Sequence, residues 1–151
     1  MQVRRLTSET VEIFKNRVNQ LTADSPRKWG TMSAAAMLRH LRHLLELSLS
    51  EVEVKDQSNV FTKYVVRPIA FHVLPDWPKG KIKAPDHLTP KAEDFDQERQ
   101  KLIAAFDRFV DAVSKSPDKM ALHPLFGSYP IHYWAFLHGR HFEHHFRQFG
   151  V

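Results

Sequence analysis

Residues 130–150 read PIHYWAFLHGRHFEHHFRQFG, from Pro130 to Gly150, and the reading of this stretch decides the fold. Proline suits the first turn of a helix, where its missing N–H is not needed, and glycine suits the position just past a helix end. Roughly 20 residues rising 1.5 Å each make a helix about 30 Å long. At about 100° per residue Trp134, His138, His141, His145 and Phe149 fall on one stripe of it. A stripe that mixes aromatic rings with imidazoles faces the protein interior, and neutral imidazoles buried together need partners.

Three more segments carry a helical period. The first runs from about Ser8 to Leu21, with Val11, Phe14, Val18 and Leu21 on one face and Thr7 or Ser8 as N-cap. The second begins at the cap Ser33 and reaches about Glu51, with Met37, Leu38, Leu41, Leu44, Leu45 and Leu49 as a broad apolar face. The third spans about Ala92 to Ser114, where Phe95, Leu102, Ile103, Phe106, Phe109, Val110 and Val113 line one side and acidic residues crowd the start. No strand-like alternation separates these segments, so the predicted fold is all-α, a four-helix bundle in one domain over residues 1–151.

The connection from Val52 to Lys91 is too long to be featureless in a compact domain. Val60 to Leu74 is predicted to form a short helix. Beyond it Pro75, Pro78, Gly80, Pro85 and Pro90 forbid regular structure, so the 75–90 loop is expected to run extended around the bundle and cover one end.

Composition narrows the function classes. The chain has 151 residues, 42% of them hydrophobic, which suffices for one buried core. It has no cysteine, which removes disulfides, thiolate metal sites and cysteine nucleophiles together. The opening MQVRRLTSETVEIF is not the pattern of a signal peptide, and no apolar run approaches the roughly 20 residues that span a bilayer. A cytoplasmic protein with no membrane partner is expected. The net charge of +5 comes from 22 Lys and Arg set against 17 Asp and Glu dispersed along the chain. The densest basic cluster, Lys79, Lys81 and Lys83, lies among Pro and Gly with no nucleic-acid motif beside it, so nucleic acid is not the expected partner.

Histidine is the outlier, with ten in the chain and four of those between residues 138 and 145. Imidazole nitrogens must come to about 2.0–2.1 Å from a metal ion to bind it. His138 and His145 are seven residues apart, about 10 Å along a helix, and cannot share one ion. His141 and His145, at i,i+4, can; His138 with His141 is the lesser pairing. The second helix offers His40 and His43 as a third ligand, and His40, flanking the Met37 and Leu44 stripe, is better placed to point inward. Three imidazoles leave positions open for water or substrate. His43, Trp134, His138 and Gln148 are candidate pocket residues, His123 in the HPLFG segment is a further one, and His144 lies off the stripe. The strings HEXXH and HXXEH, a Gly-rich phosphate loop and a G-x-S-x-G elbow are all absent.

Four pieces, WGTMSAAAMLRHL (Trp29 to Leu41), PDWPKGKIKAPDHL (Pro75 to Leu88), HPLFG (His123 to Gly127) and HGRHFEHHFRQFG (His138 to Gly150), together resemble the DinB-like superfamily of metal-binding four-helix bundles, in a branch of unknown function. The resemblance places the family's histidine triad on His40, His141 and His145. Where many members have Arg-Gly-Gln after the last ligand, this chain has Phe146, Arg147 and Gln148. It implies a divalent metal, zinc or nickel foremost and iron or manganese next, that activates a low-molecular-weight thiol or water in S-transfer or hydrolysis of a small-molecule substrate. With no cysteine in the chain, a thiolate would have to arrive with the cosubstrate. The alternatives are a non-catalytic metal or small-ligand binding stress protein, and an interaction bundle that forms a homodimer through exposed apolar helix faces.

Overall fold

The computed structural model describes residues 5–81 and 89–151. The described residues are mostly helical, with four α-helices and one small hairpin among them. Helix α1 spans Val11–Asn19, α2 Ala34–Ser48, α3 Phe95–Lys115 and α4 Ile131–Phe149. Strands β1 (Met120–His123) and β2 (Gly127–Pro130) precede α4. The hairpin is a departure from the all-α expectation.

Local chemistry sets the helix ends. Ser33 caps α2, its Oγ accepting from the Ala36 N–H at 3.1 Å. The helix stops at Ser48 rather than near Glu51 because Ser50 turns to φ 58°, the left-handed region. Asp94 caps α3 by accepting from the Asp96 N–H at 2.9 Å, which starts that helix at Phe95 rather than Ala92. Gly150, at φ 77°, ends α4 as expected, and the Val151 N–H reaches back to the Phe146 carbonyl at 3.0 Å.

Helix α2 packs on α3 and α4, and α1 packs on the same two. Between them the buried apolar residues form one cluster. Its centre is aromatic: Phe106 meets Phe142 edge-on with ring centroids 5.1 Å apart, and Phe14 meets Phe142 at 5.5 Å.

The hairpin pairs antiparallel, from Met120 opposite Pro130 to His123 opposite Gly127, and turns Ala121, His123, Gly127 and Tyr129 inward. Its eight residues include no Val, Ile or Thr, so the usual strand signal is missing. Gly127 sits at φ 78°, and a Cβ there would lie 2.7 Å from Lys63 Cε.

The expected helix near Val60 to Leu74 is present over residues 60–73, wound as π-helix at Thr62–Val66 and Ile69–Val73. Pro68 lies between those turns, where its missing N–H interrupts an α ladder. The segment after it is anchored on α4 by Arg140, which donates to the Phe71 carbonyl at 3.2 Å and to that of Leu74. It brings Leu74, Trp77 and Pro78 over the site described next. Residues 82–88, with Lys83, Pro85 and the rest of the expected 75–90 loop, lie outside the described residues. Among the described residues no helix is long and apolar enough to cross a membrane.

Candidate metal centre

Three histidines from two helices meet inside the protein. His40, on the inward face of α2, and His141 and His145, one turn apart on α4, are 3%, 5% and 7% exposed. The Nε2 atoms of His40 and His141 lie 2.9 Å apart, and those of His145 and His141 3.1 Å apart. One ligand atom from each lies within 4.8 Å of both others. Nitrogens that share an ion at about 2.0–2.1 Å are themselves ~3–3.4 Å apart, so this spacing fits a bound metal.

The protonation pattern points the same way. Gln148 donates through Nε2 to the Trp29 carbonyl at 2.8 Å, which turns its Oε1 toward His145 Nδ1, also at 2.8 Å. His145 therefore carries its proton on Nδ1 and offers a lone pair at Nε2. A single proton on His141 Nε2 can be aimed at one of its two neighbours and leaves the other contact poorly matched. A cation accepts all three lone pairs at once. Burial, and then the neighbouring imidazoles of His145 and His40, hold His141 well below the usual histidine range, and burial pushes His145 down to about 3. Neutral imidazole is the form that ligates.

The three histidines form part of the wall of a cavity of about 310 Å³. The rest is largely apolar: Met32, Leu44, Val66, Ala70, Leu74, Leu137 and the rings of Trp77 and Phe126, with His123 and His144. Trp77 sits 5.6 Å from His141 and 6.0 Å from His144 between ring centroids.

The other sequence candidates have different surroundings. His123 lines the cavity from β1. Trp134 is fully buried in the core and donates to the Ala121 carbonyl at 3.3 Å. His138 is packed between Phe109 and Phe142, its Nε2 3.0 Å from Ser48 Oγ. Since Ser48 Oγ donates to the Leu45 carbonyl, it accepts from His138, whose buried Nδ1 has no hydrogen-bond partner among the described residues. His43 faces Glu46 at 3.8 Å, within a set of ion pairs that also includes Arg39 and Arg42. Gln148 acts through His145. Sequence reading passed over Trp77 and His144 as cavity residues; the only signal for Trp77 was its place in the proline-rich connection.

A mostly helical chain with three buried, converging imidazoles beside an apolar cavity belongs to the class of candidate metal-binding helical proteins. Its family is the one described as Protein of unknown function (DUF1569), whose model matches residues 1–150, and the chain belongs to it. No curated protein and no solved structure matches the chain.

Proposed function

We propose that this protein is a divalent-metal enzyme of DinB-like type, a four-helix bundle in which His40, His141 and His145 hold the ion and a small molecule completes its coordination from the cavity. The observation that carries this reading is the convergence of three Nε2 atoms, 2.9 and 3.1 Å apart in sequence around His141, on a cavity large enough for a small ligand. The pairing of α1 and α2 with both α3 and α4 supports the bundle.

Such an ion acts as a Lewis acid and lowers the pKa of a bound thiol or water, giving a nucleophile near neutral pH. Zinc and nickel suit three imidazoles, as do iron and manganese less closely. Among the described residues lining the cavity there is no carboxylate and the groups able to take a proton are imidazoles, so activation falls to the ion, for which a low-molecular-weight thiol, more acidic than water, is the better-matched nucleophile. The same lack favours, as the second reading, a binding module that holds metal or ligand without turnover.

Cobalt substitution tests whether the ion offers a position to a thiol, which the enzyme reading requires. Untagged protein loaded with Co(II) is titrated with 2-mercaptoethanol and followed by visible and near-ultraviolet absorption. A sulfur-to-cobalt charge-transfer band marks an open position that takes a thiol. A spectrum unmoved by thiol marks a closed site and ends the thiol-transfer reading.

A further inference from the structure

His123 is held more firmly than a cavity wall requires. Its Nδ1 accepts two backbone hydrogen bonds from its own turn, from the Leu125 N–H at 3.1 Å and the Phe126 N–H at 3.3 Å. An imidazole nitrogen that accepts carries no proton, so the proton of the neutral ring is on Nε2. The ring plane is fixed as well: Phe126 stacks on it at 4.5 Å and 18°, and Trp134 lies at 5.3 Å. The residue is 4% exposed, and burial pushes its pKa down to about 3, so the ring stays neutral. Among the described residues no hydrogen bond takes up Nε2, although this side chain lines the cavity. That N–H opens on the cavity, where water can take it up, and a ligand that filled the cavity without an acceptor would leave it unpaired, which is costly.

The rest of the wall restricts what that ligand can be. No Asp, Glu, Lys or Arg is among the described residues lining this cavity. Charge is concentrated in a small cleft beyond Trp77 and His144, where Asp76, Lys79, Arg140, Glu143 and Arg147 gather and Arg147 pairs with Asp76 at 2.9 Å. Among the described residues, therefore, none that lines the cavity offers a counter-charge to an ionic group.

We infer that the cavity takes a molecule with an uncharged apolar body and one carbonyl-type hydrogen-bond acceptor, and that His123 is the binding residue that reads this acceptor through Nε2–H. The inference deepens the metal-enzyme reading by naming its substrate class: an apolar carbonyl compound rather than a polyanion.

The test compares acetophenone with α-methylstyrene, which has the same shape but a methylene in place of the carbonyl oxygen, by isothermal titration and NMR on the full chain. The measurement is made as purified and again after chelation, so that loss of the metal reading and loss of this one can be told apart. The ketone is expected to bind about five- to tenfold more tightly, the worth of one neutral hydrogen bond, in both preparations. His123→Asn keeps an acceptor where Nδ1 stood but removes the distal donor, and should abolish the preference without lowering the melting temperature much. His123→Gln restores a donor near the Nε2 position and should recover part of it. Nitrogen-15 spectra of the wild-type ring should show the Nε2–H tautomer. Equal binding of the two probes, no binding of either, tighter binding of benzoate than of the ketone after chelation, or a preference that survives in His123→Asn overturns the inference.

Discussion

Gln148 Oε1 lies 2.8 Å from His145 Nδ1, and that contact orients the imidazole whose other nitrogen faces His141 and His40. Gln148 is itself tied to the Trp29 carbonyl at 2.8 Å, so the loop before α2 and the last turn of α4 jointly hold one ring. Partners of this kind fix the tautomer of a metal-binding histidine and raise its basicity.

Removing Gln148 should therefore weaken metal binding without unfolding the protein. Gln148→Ala is expected to lower zinc affinity about 10- to 100-fold in a competition titration with a chromophoric chelator. Unchanged affinity would mean that the Gln148 contact does not orient a ligand.

Gly30 controls the same contact from the other side. It sits at φ +78°, and an added Cβ would lie 2.5 Å from Gln148 Nε2. Gly30→Ala should cost about 1–2 kcal/mol from backbone strain and also displace Gln148. Thermal melts and the same zinc competition should both report a loss. A fall in melting temperature with full metal affinity would place the damage in the backbone alone.

Glu46 supplies a pH signature outside the site. Burial by itself would raise its pKa, but contact with His43 and the charges of Arg42 and Arg39 outweigh it and bring the group from 4.5 down to about 2. Between those values the unfolded chain binds the proton and the native protein does not. The stability contributed is complete above 4.5 and is lost as the pH falls toward 2. The melting temperature of Glu46→Gln should thus lie below wild type at neutral pH, and the gap should close over that acid range. A gap independent of pH there would contradict the assignment.

Helical period and caps made most of this architecture legible in the sequence. Phe14, Leu41, Leu45, Phe106 and Phe109, all read as core from their spacing, are buried. The Ser33 cap and the Gly150 terminus were readable because single residues set them. The hairpin was not, since Met120–His123 and Gly127–Pro130 lack branched strand formers and their pairing depends on a turn held by the His123 ring and Gly127. The convergence of His40 with His141 and His145 followed from reach along one helix and from family resemblance. Spacing on a helix does not say what a neighbouring element puts above each residue. His138 shares the stripe of His141 yet packs between Phe109 and Phe142, while Trp77, more than sixty residues earlier in the chain, faces His141 across space.

The most direct test of the histidine triad is the metal content of untagged protein and of its His141→Ala variant, measured by inductively coupled plasma mass spectrometry after gel filtration. His141 stands between His40 and His145, so its loss should break the proposed site. One divalent ion per wild-type chain and a small fraction of that in a folded His141→Ala variant is the predicted result. A wild-type chain with no stoichiometric metal, or a variant that keeps its full complement, would contradict the metal centre.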